Sequence, residues 1–330
     1  MKALVTGASG FVGSAVLRHL VDAGHEVRVL MRPTSNRRNI EGVACEPVLG
    51  DLTDPASLRA AAAGCAAVFN VAADYRMWVT DHDEMYRANV DGTRNILLAA
   101  AEAGATRIIH TSSVAAIGYR DDGAPADEDT PGDLARMIGP YKRSKYLADV
   151  EARRLAAEDG VPVVVVNPSA PFGPRDIRPT PTGGMVVAFG RGRMPAYIDT
   201  GLNVVHVDDV ARGHLLAHKR GVLGERYILG GDNMSLRDIL VTLAAHLGRA
   251  PPRVRLPRLP LFPIAWAAEV IGRIAGFEPS LTLNALRMAK HRMYYSSAKA
   301  GRVLGYQPRS GAEALRDAAD WYRANGYFQG

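Results

Sequence analysis

The chain has 330 residues, 47% of them apolar and 22% charged, the balance of an ordinary globular protein with room for one large or two modest domains. Its two cysteines, Cys45 and Cys65, lie far apart in no metal-ligand spacing, which excludes a disulfide framework and a zinc site and points to a reducing compartment. The formal charge of +6 suits anionic small molecules or a membrane surface, and without basic aromatic repeats or finger spacing no nucleic-acid partner is expected.

KALVT (2–6) opens the chain as a strand and leaves no room for a signal peptide. VTGASGFVGS follows it into a helix over 11–24. Gly7, Gly10 and Gly13 give the spacing GxxGxxG: the first permits a tight turn, the second lets backbone approach a pyrophosphate, the third lets the helix pack close to the sheet. A pyrophosphate there would meet the positive helix N-terminus, so a dinucleotide site is expected. The second strand, EVRVLM (26–31), decides which dinucleotide. NAD sites carry an acid at its end for the ribose 2′-hydroxyl, whereas here Arg32 stands in that place with Arg37 and Arg38 close behind. Guanidinium groups fork onto phosphate, so the expected cofactor is NADP.

ACEPV (44–48) is the third strand, and GDLTD after it brings Asp51 and Leu52 to the adenine. AAVFNV (66–71) is the fourth, and NVAAD leaves the backbone of Ala72 and Ala73 beside the ribose and phosphates. A helix over 84–104, the strand TRIIHTS (106–112) and the strand VPVVVVN (161–167) continue the alternation. Near-continuous apolar strands alternating with helices specify a doubly wound parallel α/β sheet of Rossmann type. Beyond Asn167 the Pro- and Gly-rich stretch 168–202 reads as a long functional loop. VVHVDDVARGHLLAH returns to strand and helix, ERYILGG is one more strand, and the rest is mostly helical. The expected organisation is a cofactor domain from 1–167 plus about 203–230, and a smaller, mostly helical, discontinuous substrate lobe from about 168–202 and 231–330. The apolar segment LPLFPIAWAAEVIG is broken by Pro263 and Glu269 and falls short of the about 20 residues that span a bilayer. A cytoplasmic protein with at most peripheral membrane contact is expected. The closing YFQG carries no weight.

HTSS (110–113) ends the fifth strand, and GPYKRSKY (139–146) opens a long helix. Ligands bind at the carboxyl ends of parallel strands, so Ser113 and Tyr141 should share the rim of the glycine loop. Tyr141 and Lys145 share a helix face at i and i+4. The lysine charge would favour the phenolate and lower its pKa, tuning Tyr141 as an acid/base while Ser113 holds the substrate oxygen.

Strand–GxxGxxG–helix, GDLTD, NVDGT (89–93), HTSSVAAIG, YxxxK and NVVHVDDVARG together resemble the extended short-chain dehydrogenase/reductase family over essentially the whole chain. Within it the chain is similar to the dihydroflavonol reductase-like and 3β-hydroxysteroid dehydrogenase-like branch, and VAADYRMW, NPSAPFGPRDIRPTPTG, GRMPAYIDTGLNVVHVDDVA and MYYSSAKAGRVLGYQPR resemble bacterial hopanoid-associated sugar epimerases in particular. The resemblance implies a catalytic triad of Ser113, Tyr141 and Lys145. It also implies cofactor contacts at Gly7, Ser9, Gly10, Phe11, Val12, Gly13, Arg32, Asp51, Leu52, Val71, Ala72, Ala73, Tyr141, Lys145, Pro168, Ser169 and Ala170. Sugar-nucleotide dehydratases of the family carry Thr-Asp-Glu where this chain has Thr111-Ser112-Ser113, so net dehydration is not expected. Family members often dimerise through helices corresponding to 84–104 and 140–158, and the oligomeric state stays open.

Asn89 and Thr93 are expected to support the serine strand by hydrogen bonding. Asp74, Tyr75, Met77, Trp78 and His206 are candidate substrate contacts. The arginines at 249, 253, 255 and 258 flank an amphipathic segment and suit either solvent or anionic headgroups. The preferred reaction is hydride transfer to or from a secondary alcohol or ketone. A sugar epimerase using bound NAD(P) is the rival, disfavoured by Arg32. A non-catalytic scaffold is disfavoured because the tyrosine and the lysine are both kept.

Overall fold

Strands whose residues are buried along their length need apolar cover on both faces, and Val163–Pro168 is buried at every position. The computed structural model describes all residues except Met77, Thr80, Asp121, Glu278, Ser280 and Gly330. Its main sheet contains β1 (Lys2–Thr6), β2 (Glu26–Met31), β3 (Glu46–Leu49), β4 (Ala67–Asn70), β5 (Arg107–Thr111), β6 (Val163–Pro168) and β10 (Arg226–Leu229). They lie in the order β10-β6-β5-β4-β1-β2-β3, all parallel. The order reverses direction beside β1, which makes the crevice between β1 and β4 a topological switch point.

Helices cover both faces. α1 (Phe11–Asp22) and α7 (Val207–Arg220) pack together on one, burying Val16, Leu20 and Val210 against Val5 and Val166. α2 (Pro55–Ala62), α4 (Gly92–Glu102) and α5 (Gly139–Glu158) cover the other, where Leu58, Leu97 and Leu155 meet Leu4 and Val165. The fold is the expected doubly wound α/β sheet.

The helix expected over 84–104 is broken in two. α3 (His82–Tyr86) runs into a π turn over Arg87–Asp91 before α4 begins. A π turn inserts one residue into the helical ladder and re-aims the side chains around it. Here it carries Asn89, whose role appears below.

The second lobe is built on β7 (Ala170–Phe172), α6 (Pro181–Gly190), β8 (Ala196–Ile198), β9 (Gly201–His206), β11 (Asp232–Ser235) and α8 (Leu236–Leu247). It continues through β12 (Val254–Leu256), α9 (Leu261–Ala275), α10 (Leu283–Met288), β13 (Arg292–Met293), α11 (Ala298–Leu304) and α12 (Gly311–Ala324). β9, expected to return to the main sheet, instead centres a small sheet in the order β11-β9-β13, with β7 also on β9. Phe172, Phe189, Leu240, Leu315 and Tyr322 form the core of this lobe. The two parts are stitched by polar contacts: Asp209 on α7 accepts from Arg309, and Asn39 donates to the Arg175 carbonyl at 3.1 Å.

Candidate active site

The glycine loop is shaped by what lies against it. Thr6 at the end of β1 accepts from the backbone N–H groups of Val71 and Ala72, both at 3.0 Å, and donates to Asn70 at 2.7 Å. That pins the chain after β4 onto Gly7, where any Cβ would come within 2.7 Å of the Ala72 nitrogen, and Gly7 sits at φ +71°. At Gly13 a Cβ would lie 2.1 Å from the Gly7 carbonyl, so the first turn of α1 can press against the loop only as glycine. α2, α6, α8 and α12 are capped by the side chains of Asp54, Thr180, Ser235 and Ser310. α1 begins at Gly10 with no side-chain cap, so first-turn N–H groups at Phe11 and Val12 remain available to an anion. Asn39, buried, donates to the carbonyls of Ser9 and Gly10 and also to that of Arg175, tying the loop to the second lobe.

Arg32 and Arg37 are exposed at the end of β2, with no acid between β2 and Asn39. Arg38 is committed elsewhere, donating to Asn325 at 2.9 Å. Burial raises the Asp51 carboxyl, but hydrogen bonds from Thr53 and the charge of Arg32 outweigh it and leave the pKa below the usual value. Leu52 is held by its carbonyl, which accepts from Asn95 on α4. At the far side of the crevice Pro168 ends β6 and Ala170 starts β7. Between them the Ser169 hydroxyl is buried with no partner among the described residues, and the Ser112 hydroxyl is in the same condition. An uncapped helix N-terminus, glycines that leave no room for Cβ atoms and orphaned hydroxyls along one crevice fit a dinucleotide.

Ser113, Tyr141 and Lys145 come together at the carboxyl end of β5. Ser113 is extended, and its oxygen accepts from the Ala115 N–H at 3.1 Å, which leaves its proton free to donate. Asn167 donates to the Ser113 carbonyl at 3.0 Å and fixes the strand end. Tyr141 sits in the first turn of α5, which starts at Gly139 with φ +81° and places Pro140 in the same turn. Lys145 is 3% exposed and donates to the Thr111 carbonyl at 2.8 Å.

The electrostatics differ from expectation. Burial pushes the Tyr141 phenol above its usual pKa, and the Ser113 hydroxyl pulls the other way without prevailing. Burial likewise takes Lys145 down to about 8, against the opposing charge of Asp149. Lys145 is turned to a carbonyl, so desolvation of the phenol decides the direction of the shift.

The expected substrate contacts divide. Asp74 is engaged on three sides: Arg76 pairs with its carboxylate, and Asn89 accepts from its N–H at 2.7 Å and donates to its carbonyl at 2.8 Å. Asn89 also donates to Ser144 on α5, so it supports by hydrogen bonding, but locks the loop after β4 to α5 rather than backing the serine strand. Tyr75 is 40% exposed near Asp176 and Arg178. Trp78 lies under the Arg273 guanidinium of α9, 5.4 Å from its ring centre. Met77 lies outside the described residues.

His206 is a correction. Its Nδ1 accepts from the Asp208 N–H and caps α7, its Nε2 pairs with Asp317 at 3.2 Å, and it is 1% exposed, so neither nitrogen is free for a substrate. The sequence reading passed over two residues. Lys142 lies beside Tyr141 with Met293 Sδ, a weak acceptor, at 3.8 Å, and burial takes its pKa down to about 8. Asn284 of α10 faces Gly139, where a Cβ would be 3.0 Å from its amide nitrogen. Lys142 stands inside the motif, but nothing in the spacing says which way it faces.

This arrangement coincides with a match of residues 3–230 to the NAD-dependent epimerase/dehydratase family. The chain belongs to that family. A protein of Synechocystis sp. provisionally named a dihydroflavonol 4-reductase is 44% identical over 98% of this chain and 95% of its own length. A sterol demethylase protein B of Methylococcus capsulatus is 32% identical over 99% of both. The solved structure of a protein called gox2253 is 52% identical, covers 99% of each chain and superposes with a TM-score of 0.90. As a member of this epimerase/dehydratase family, of the extended short-chain dehydrogenase/reductase type, the chain is an NAD(P)-dependent oxidoreductase or epimerase acting on small molecules.

Proposed function

We propose that the protein is an NADP-dependent reductase of a ketone, or a dehydrogenase of the corresponding secondary alcohol, with Tyr141 as the proton-transferring residue. The observation that carries the reading is the convergence of Ser113, Tyr141 and Lys145 on the crevice that holds the uncapped end of α1. In this reading the cofactor unit is 1–167 with about 207–230, β9 belonging to the second lobe, and the rest forms the substrate unit. A bound nicotinamide supplies or takes up the hydride. The chain's own residues handle everything else. Ser113 donates to the substrate oxygen while Ala115 holds its lone pair, and Tyr141 delivers the proton to that same oxygen. Lys145, one helical turn from Tyr141 and held on the Thr111 carbonyl, supplies positive charge on the same helix face as negative charge develops on the phenol. A phenol whose pKa is raised carries the proton that reduction of a carbonyl requires. The name of the Synechocystis relative supports a reductase, and the name of the Methylococcus relative supports an apolar, polycyclic substrate.

Arg32 supports NADP, since an exposed guanidinium and no acid at the end of β2 suit a 2′-phosphate. Fluorescence titration with NADPH and NADH tests this. A charge-assisted contact is worth about 1.5–3 kcal/mol, so Arg32→Ala should weaken NADPH roughly 10- to 100-fold and leave NADH unchanged. Equal or NADH-preferring binding by the unaltered protein would remove the argument from Arg32 and put sugar epimerisation, which the family also performs, in first place.

A further inference from the structure

An amphipathic helix on a globular protein turns its large apolar residues inward. α9 does the reverse. Its buried residues are Ala265, Glu269 and Gly272, two small and one charged. Ile264, Trp266, Ile271 and Ile274 face outward, with exposures of 59%, 61%, 56% and 83%. Leu259 before the helix and Phe277 after it extend the same surface. Single exposed apolar side chains are ordinary, but a contiguous patch of this kind marks a surface that meets something apolar.

The charge around the patch says what that is. Residues 249–292 carry eight Lys or Arg against two Glu, which accounts for the whole formal excess of +6 on the chain. Arg249, Arg253, Arg255 and Arg273 are exposed, whereas Glu269 is turned inward to accept from the Leu283 N–H at 2.7 Å. Arg255, Arg258 and Lys290 line an open notch of about 200 Å³ beside the start of α9, where Asp199 pairs with Arg255. Apolar residues projecting from a helix, ringed by guanidinium groups, match an interface of acyl chains beneath anionic headgroups. At 15 residues the helix is too short to cross a bilayer, and among the described residues no helix is long and apolar enough to do so.

We propose that α9, with the arginine-rich segment before it, docks flat onto an anionic lipid bilayer. The same helix borders the catalytic crevice: its Arg273 covers Trp78, and its Glu269 holds the start of α10, whose Asn284 faces Gly139 below Tyr141. Docking therefore sets the mouth of the crevice against the membrane, where an apolar carbonyl compound could pass from lipid toward Tyr141. That last consequence rests on the reductase reading, and the docking does not.

The test uses the full chain with vesicles of phosphatidylcholine alone and of phosphatidylcholine with phosphatidylglycerol at roughly three to one, read by cosedimentation and Trp fluorescence. Binding is expected to the mixed vesicles, with a blue shift, and is expected to fall at about 1 M salt, where screening is strong. Ile271→Asp with Ile274→Asp should weaken binding about tenfold or more, and Arg249→Ser with Arg253→Ser and Arg255→Ser should remove the preference for anionic vesicles. All substituted positions are exposed, and circular dichroism of each variant checks the fold. Absence of binding to either vesicle would overturn the proposal, as would binding unaffected by the Asp pair. A dimer that the Asp pair dissolves, in a protein indifferent to vesicles, would assign the face to a second copy of the chain instead.

Discussion

Lys145 is buried and Tyr141 half-buried, and desolvation makes each side chain resist its charged form. For Lys145 the folded pKa of about 8 lies below the unfolded 10.5. The unfolded chain therefore binds the extra proton more readily between those values, and stability rises with pH across that window. Below about pH 8 the buried ammonium works against the fold, offset in part by its bond to Thr111. Lys145→Met should raise the unfolding free energy at neutral pH by about 1–3 kcal/mol. The gain should shrink as denaturation is repeated at pH values rising from 8 to 10.5. A destabilised variant would mean that the hydrogen bond outweighs desolvation. Tyr141→Phe should reduce turnover by roughly 10²–10⁴-fold, the range of a lost general acid, with NADPH affinity unchanged in fluorescence titration. Tyr141 and Lys145 were legible because i, i+4 on a helix is a geometric fact of sequence. His206 was misread because a strand-end histidine can serve as a helix cap as readily as a ligand, and the capped N–H, that of Asp208, is invisible until the backbone is known.

The elements were legible where period and composition agree. β1 and β2 begin and end where KALVT and EVRVLM do, since both are short apolar runs bounded by Gly or by charge. The long helix over 84–104 was not, because a π turn leaves the apolar period nearly intact while inserting one residue. The reason for the insertion lies in a contact distant in sequence: Asn89 must meet both the Asp74 backbone and Ser144, 15 and 55 residues away. Removing that side chain leaves buried polar groups without partners, which costs about 1–3 kcal/mol. Asn89→Ala should therefore melt earlier, and with the loop at 71–76 released its KM should rise more than its kcat falls. Equal loss in both, with an unchanged melting temperature, would mean that Asn89 acts on the reacting atoms rather than on the loop.

At the scale of the molecule, the interior holds neutral histidines as joints between the sheet and its covering helices. His214 of α7 is bonded through Nδ1 to the Val210 carbonyl at 2.8 Å and through Nε2 to the Thr111 hydroxyl at 2.8 Å. One nitrogen donates to a carbonyl, so the other is left to accept, and the ring is neutral. Burial takes its pKa down to about 4. His110 on β5 is also held well below its usual value, by burial first and then by the charge of Lys145 and by His214, and it accepts from Asn70 within the Thr6 network under the glycine loop. Both folded values lie below the unfolded 6.5, so the unfolded chain takes up protons first as pH falls. Stability is full above about pH 6.5 and is lost as pH falls toward 4, by on the order of 3 kcal/mol through His214 alone. Urea denaturation at stepped pH between those values should show this decline, and His214→Leu, less stable at neutral pH for its lost bonds, should show a shallower one. An unchanged slope would place the acid sensitivity in other groups. The Thr111 carbonyl holds Lys145 and its hydroxyl holds His214, so the same acidification should loosen Lys145 before the sheet gives way. NADPH affinity should then fall at a higher pH than the loss of secondary structure seen by circular dichroism.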